Sequence, residues 1–246
     1  MSGPLECVPR HTQRVNSPRS ALITGGSTGL GRATALHLAA LGLGVTVTGR
    51  TQSTLDAAVA ELKTAGADAV GVLADASGWE DNQRAVAAHV SHHRGLDVVV
   101  ANAGFTASGD LADGEPDQWR SMVLTNVLGP ALLVKACLPH LIAPGGQIVL
   151  VGSVAGRIVR PGSLYGATKA AVAAFAENLR PQLTTSGIKV ALVEPGITDT
   201  PFWGEAGAPS FALESAAVAE AIGWIVQQPV GVDVNELLVR PVGQPI

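Results

Sequence analysis

Seven short apolar runs recur along the chain, and a stretch of helical period and length separates most of them from the next. The runs fall at 20–26, 44–50, 68–75, 96–104, 146–156, 188–196 and 234–241. Helical patterns occupy 31–42, 54–66, 81–93, 119–141, 165–183 and 214–227. Runs this apolar suit strands covered on both faces. Connections of this length make each strand return parallel to the last, through a right-handed crossover. The predicted architecture is α/β: one doubly wound parallel sheet with helices on both faces. Glycines close the first two helices, at Gly42 and Gly66. No composition break follows residue 20 and no repeat is visible, so 19–246 reads as one domain.

The first 18 residues hold three prolines, several basic residues and no apolar run. They read as a loose tail and lack the apolar segment of a secretory signal; a transit peptide is the minor alternative. The net charge of −4 gives no attraction to nucleic acid or an anionic membrane. No apolar run reaches the ~18 residues of a membrane helix. Two distant cysteines, Cys7 and Cys137, make neither a disulfide framework nor a metal site and suit a cytoplasmic location. The His92-His93 pair has no further ligands beside it in sequence, so it reads as a solvated helix end, and no metal site is expected.

The stretch "TGGSTGLG", Thr24 to Gly31, joins the first strand to the first helix. Gly25, Gly29 and Gly31 permit a tight turn and close approach of backbone to a pyrophosphate. Ser27, Thr28 and Leu30 complete a helix N-terminus whose free N–H groups face the phosphates. This is a Rossmann-type dinucleotide site, because the glycines sit between a strand and a helix. At the tip of the second strand an acid would bind the adenosine ribose of NAD. Here stand Gly49, Arg50 and Thr51, and the arginine suits a 2′-phosphate. NADP(H) is therefore the expected cofactor, with NAD(H) possible if Arg50 is only an exposed strand-end residue. Asp75 either accepts from the adenine amino group or caps the turn after the third strand.

"SLYGATKAA" holds the chain's single tyrosine, Tyr165, with Lys169 one helical turn later. Residues four apart share a helix face. An ammonium there favours the phenolate and lowers the tyrosine pKa, which makes a usable acid-base group.

With these motifs the chain resembles the short-chain dehydrogenase/reductase family, from Ser20 nearly to its end. The glycine motif appears at 24–31, and the family's N-A-G element as Asn102-Ala103-Gly104. Its catalytic set appears as Asn126, Ser153, Tyr165 and Lys169, and its nicotinamide turn as Pro195-Gly196, followed by Thr198 and Thr200. The ending "VNELLVRPVGQ" is similar to NADP-dependent members acting on hydroxy acids and related alcohols. The resemblance implies a hydride transfer between nicotinamide and a carbonyl or alcohol. Ser153 would orient the carbonyl oxygen and Tyr165 would supply the proton. Lys169 would hold the nicotinamide ribose, and Asn126 would perturb its helix and hold a water linking Lys169 to solvent. Taken singly, Ser153 could cap a turn and Asn126 could be a polar residue between helices. The resemblance also implies a homotetramer or homodimer sharing the helices at 120–140 and 165–183.

Three positions depart from the family pattern. Ala101 replaces an asparagine that often stabilises the N-A-G turn, and Gly152 replaces the first of two serines. The step from Ser153 to Tyr165 is 12 residues, one shorter than usual, within "RIVRPGS". The segment 199–213 reads as a short substrate lid carrying Phe202, Trp203 and Phe211, although those aromatics could equally pack against core or a neighbouring subunit. A short apolar lid suits a modest, mostly apolar ketone or aldehyde, or the matching alcohol. The alternatives are an NAD-dependent alcohol dehydrogenase on the same scaffold, or a nucleotide-sensing protein without turnover.

Overall fold

The computed structural model describes residues 19–109, 111–141 and 145–244. The expected tail 1–18, Cys7 included, lies outside the described residues. Strand β1 (Ser20–Ile23) is buried along its whole length. Successive side chains point to opposite faces of a sheet. Ala21 and Ile23 accordingly enter one core cluster and Leu22 enters another.

Around β1 lie β2 (Gly44–Gly49), β3 (Ala69–Leu73), β4 (Val98–Ala101), β5 (Gln147–Val151) and β6 (Lys189–Pro195). Two short strands, β7 (Thr198–Asp199) and β8 (Leu213–Glu214), pair apart from them, and β9 (Glu236–Val239) closes the main sheet. The main sheet is parallel throughout, in the order 3-2-1-4-5-6-9. Helices α1 (Gly29–Ala40), α2 (Gln52–Thr64) and α7 (Ser215–Gln227) cover the face carrying Ile23 and Val47. Helices α3 (Trp79–His93), α5 (Gly129–Cys137) and α6 (Leu164–Leu183) cover the face carrying Leu22 and Ile148. The doubly wound α/β architecture is as the alternation predicts. Gly42 and Gly66, both at φ +84°, end the first two helices in the left-handed region that glycine tolerates.

The strand order reverses between β1 and β4. Open α/β sheets bind ligands at such a switch point, beyond the carboxyl ends of the strands. Both the glycine turn after β1 and the Asn102 turn after β4 leave the sheet there.

Two sequence readings need correction. The single helix expected at 119–141 is three pieces: α4 (Pro116–Val123), a π-helical turn at Leu124–Leu128, and α5. The break falls at Asn126, where the family resemblance implies a perturbed helix; periodicity alone does not reveal it, since a π-turn adds a residue without changing the apolar content. The His92-His93 pair is also not a uniformly solvated helix end. His92 is exposed, but His93 is buried, and both meet Asp68 from the turn before β3, at 2.6 and 3.3 Å. Burial holds the His93 imidazole below its ordinary pKa. Sequence distance hid this partner. Among the described residues, no helix is long and apolar enough to cross a membrane.

Leu22 is completely buried at the centre of the sheet, whereas Val159 is 96% exposed on a loop. Leu22→Ala should therefore lose about 2–5 kcal/mol of stability, and Val159→Ala less than about 0.5 kcal/mol. Urea midpoints for the two variants check this.

Candidate active site

A cleft of about 610 Å³ runs across the switch point. Every residue assigned above to the cofactor lines it. Gly25, Ser27, Thr28, Gly29, Leu30 and Gly31 come from the glycine turn, with Arg50 and Thr51 after β2 and Asp75 after β3. Asn102, Ala103 and Gly104 follow β4. Tyr165 and Lys169 on α6, and Pro195, Gly196, Thr198 and Thr200 after β6, complete the set.

The glycine turn is a cradle with no room for side chains. A Cβ on Gly31 would stand 2.2 Å from the Gly25 carbonyl oxygen. Gly25 and Gly29 have φ of +63° and +50°. Thr28 takes the N-cap position of α1 but makes no side-chain capping bond, and the first turn carries no acid. Open N–H groups at a helix start, without competing negative charge, fit a pyrophosphate. Behind the cradle, Asn102 Nδ2 donates to the carbonyls of Thr24 and Gly25, at 2.9 and 3.3 Å. Thr24 Oγ1 accepts from the N–H groups of Asn102 and Ala103. These bonds hold the turn that Ala101 cannot support.

Arg50 lies over the Phe105 ring, 5.7 Å from its centroid. Stacking occupies the face of a guanidinium and leaves its N–H edge free. Asp75 is the single acid lining the cleft among the described residues. Its Oδ1 accepts from the Ser77 backbone and hydroxyl, at 2.8 and 2.7 Å. The turn-capping role foreseen for Asp75 is thus present, beside its place in the cleft wall.

Ser153, Tyr165 and Lys169 converge at the other end. Ser153 Oγ accepts from the Ala155 N–H at 3.1 Å, so it does cap a turn, the 3-10 turn Val154–Gly156. It also pulls the Tyr165 pKa downward. Gly152 has no room for a serine, since its Cβ would meet the buried Glu194 side chain at 3.0 Å.

Tyr165 and Lys169 differ from the simple expectation. Burial raises the Tyr165 pKa, against smaller downward pulls from Ser153 and Arg160. The Lys169 ammonium, 5.9 Å from the Tyr165 ring centroid, donates to the Val151 carbonyl at 2.9 Å. Burial lowers its own pKa to about 8. At neutral pH the phenol stays protonated.

Asn126 does not line the cleft. It sits in the π-turn behind it and is buried. Its Oδ1 accepts from the Phe105 N–H at 3.0 Å. Its Nδ2 donates to the Phe105 carbonyl and to Thr168 Oγ1, at 2.9 and 3.1 Å. A Cβ on Gly104 would stand 3.1 Å from Asn126 Oδ1 and 3.4 Å from Lys169 Nζ. Asn126 therefore closes the floor under Lys169, in addition to bridging two segments.

Phe202 and Trp203 reach the cleft from a 3-10 turn, Pro201–Ala206. The β7–β8 pair clasps the two ends of the lid. The Phe202 ring lies 5.5 Å from that of Tyr165, and Trp203 Nε1 donates to the Thr198 carbonyl at 2.9 Å. Phe211 does not line the cleft. Among the lining residues that escaped the sequence reading are Gln244 and Arg160. Gln244 Oε1 accepts from the Ile197 N–H at 2.9 Å and fills the space that a Gly196 Cβ would need. Its trace in sequence is the "VGQ" ending. Arg160 stands in the shortened loop beside Tyr165.

The buried charge on Lys169 has a stability consequence. With its folded pKa at about 8 and its ordinary value at 10.5, the unfolded chain binds the proton more tightly. Stability therefore rises with pH between those values, and the full cost, about 3 kcal/mol, applies below the folded pKa. The bond to Val151 offsets about 1 kcal/mol of it. Lys169→Met should be more stable than wild type at pH 7 by about 2 kcal/mol, and the gain should shrink toward pH 10.5. Urea unfolding at the two pH values tests this; a variant equally or less stable at pH 7 contradicts it.

Comparison with known proteins agrees with this geometry. A family model described as short chain dehydrogenase matches residues 19–209. An oxidoreductase of Staphylococcus epidermidis with no assigned substrate is 33% identical, over 90% of this chain and 96% of its own. An alcohol dehydrogenase from the archaeon Thermococcus sibiricus, complexed with 5-hydroxy-NADP, superposes with a TM-score of 0.86 at 28% identity. That match covers 94% of this chain and 99% of the other. A short-chain dehydrogenase from Burkholderia cenocepacia in complex with NADP gives 0.83 at 30% identity, over 91% and 97% of the two chains. With its sheet, its glycine cradle and its Ser-Tyr-Lys end in place, this chain belongs to the short-chain dehydrogenase/reductase family of oxidoreductases.

Proposed function

We propose that the protein is an NADP(H)-dependent reductase of small-to-medium ketones or aldehydes, able to run in reverse on the matching alcohols. The observation that carries this reading is the convergence of Ser153, Tyr165 and Lys169 at one end of a cleft whose other end is a glycine cradle beside Arg50. The relatives crystallised with NADP or its analogue support the choice of cofactor.

When bound, the nicotinamide supplies or accepts the hydride. Ser153 Oγ holds the carbonyl oxygen and aims it at Tyr165. The Tyr165 hydroxyl gives its proton to that oxygen as negative charge develops. Because burial raises its pKa, Tyr165 is loaded with the proton at neutral pH, which suits reduction. Lys169, fixed by Val151, faces the ribose hydroxyls and orients the cofactor relative to Tyr165. Pro195, Gly196, Thr198 and Thr200 bind the carboxamide, while Arg50 takes the 2′-phosphate and Asp75 the adenine amino group. Phe202 and Trp203 cover the substrate. The exposed Val123, Leu124 and Leu128 around the π-turn support association with further copies of the chain, as a homodimer or homotetramer.

Two outcomes test this. NADPH consumption with a ketone and aldehyde panel should fall at least 10²-fold in Tyr165→Phe, in line with the usual worth of a positioned acid. In wild type, alcohol oxidation should climb with pH toward the raised Tyr165 pKa while reduction holds steady over the same range. Turnover surviving the loss of the hydroxyl removes Tyr165 as the acid. Separately, Arg50→Ala should shift the NADPH/NADH preference by about tenfold or more toward NADH; an unchanged ratio of kcat/KM values favours the NAD-dependent alternative.

A further inference from the structure

The loop between Ser153 and Tyr165 is one residue shorter than the family pattern and is built rigidly at both ends. At its start Arg157 is ion-paired with Glu194 and Glu236. At its end, Arg160-Pro161-Gly162-Ser163 form a turn. The Ser163 N–H donates to the Arg160 carbonyl at 3.1 Å, and Gly162 has φ +73°. Proline second and a positive-φ glycine third are the requirements of a type II turn. Ser163 then caps α6, accepting from the Gly166 N–H at 3.1 Å. Turn and cap fix the Arg160 backbone relative to Tyr165, on the first turn of that helix.

Arg160, exposed to solvent on one side, lines the cleft together with Ser153, Tyr165 and Phe202. Its charge is felt at the Tyr165 hydroxyl. Among the described residues, Arg32, Arg84, Arg157 and Arg180 are each paired with a carboxylate, and Arg160 is not. The one lining acid, Asp75, belongs to the opposite, adenosine end and is engaged with Ser77. Arg50 already serves the phosphate at that end. A cation with no carboxylate partner therefore lines the same end of the cleft as Ser153 and Tyr165.

We propose that Arg160 is the anion-recognising residue of the substrate site, and that the physiological substrate is an oxo acid, or its hydroxy-acid partner, whose carboxylate Arg160 binds while Ser153 and Tyr165 hold the carbonyl. This rests on the reductase reading above. A guanidinium fork matches a planar carboxylate with two parallel hydrogen bonds. Phe202 and Trp203 cover the carbon chain. In the reduction the carbonyl carbon takes up hydride from NADPH, the carbonyl oxygen takes the Tyr165 proton, and the carboxylate is unchanged. The site thus adds one charged contact to the mostly apolar substrate suggested by the lid.

The test compares 2-, 3- and 4-oxo acids with their methyl esters, followed by NADPH consumption, in wild type, Arg160→Gln and Arg160→Lys. Arg160 also acts on Tyr165, so the informative quantity is the ratio of kcat/KM for acid and ester, which cancels that shared effect. Wild type should prefer at least one acid over its ester by about tenfold or more. The ratio should drop at least tenfold in Arg160→Gln, chiefly through KM, and recover in part in Arg160→Lys. A ratio unchanged by Arg160→Gln overturns the proposal. A second arm needs no turnover: thermal unfolding of the NADP-loaded protein with heptanoate or heptanamide. Heptanoate should raise Tm in wild type and not in Arg160→Gln, and heptanamide should do neither. Equal shifts from both, or none from heptanoate, overturn the anion site even if ketones are reduced. Heptanoate stabilisation that needs Arg160, without turnover of any acid or ester, leaves the anion site standing and removes the reductase reading instead.

Discussion

Everything in the cleft depends on the junction of two strands that are neighbours in space but remote in sequence. Thr24 follows β1 and Asn102 follows β4, 78 residues later. Their reciprocal hydrogen bonds fix the glycine turn against the N-A-G turn. The space between them is so tight that a Cβ at Gly31 would collide with both Gly25 and Asn102. This closeness lets one wall present backbone N–H groups toward phosphates while the adjoining wall carries the path to Ser153 and Lys169. A looser junction would separate the glycine cradle from the end that holds Ser153, Tyr165 and Lys169, and the proposed hydride transfer requires its reacting atoms to be held together.

Sequence and structure agree where local pattern decides the outcome. The main strands, the helices closed by Gly42 and Gly66, and the glycine cradle are all legible, because each rests on residues within a few positions of one another. Reading failed where the deciding contact is long-range or leaves the apolar pattern unchanged. The helix perturbation at Asn126 is as the resemblance implied, but apolar pattern alone does not show it, because the π-turn keeps the same leucines and valines in order and alters only the hydrogen-bond register. Asp68 reaches His92 from 24 residues away, and Gln244 reaches Ile197 from 47. Arg160 looked like filler in a shortened loop. Its position becomes meaningful only once the fold brings that loop to the cleft wall beside Tyr165. The expected depression of the Tyr165 pKa failed for a related reason. Helical spacing placed Lys169 correctly, but not the Val151 carbonyl that accepts its hydrogen bond, nor the burial that raises the phenol pKa.

The π-turn has a clear task in this arrangement. Turning Asn126 inward lets one side chain satisfy both backbone groups of Phe105 and the Thr168 hydroxyl. Phe105 is thereby fixed, and its ring is the platform on which Arg50 lies. Thr168 in turn donates to the Tyr165 carbonyl on the first turn of α6. One buried amide therefore braces the platform under Arg50 and the helix that carries Tyr165. Buried polar groups must be fully paired to be tolerated, and each of these bonds also sets a position in the cleft.

Charge is distributed along the cleft in a way that follows from which groups the fold has already neutralised. Arg157 is consumed by Glu194 and Glu236, and its task is to anchor a loop. Lys169 is held in a site so desolvated that its ammonium is weakened. Arg50 and Arg160 remain as cations with no carboxylate against them among the described residues, one at each end. With Asp75 turned toward Ser77, the wall between them carries little negative charge. Opposite charge on a ligand is favoured most where protein walls lower the local dielectric. On the proposed function, a cofactor phosphate meets Arg50 at one end of the cleft and a substrate anion meets Arg160 at the other, so each bound charge finds a cation that no carboxylate already neutralises.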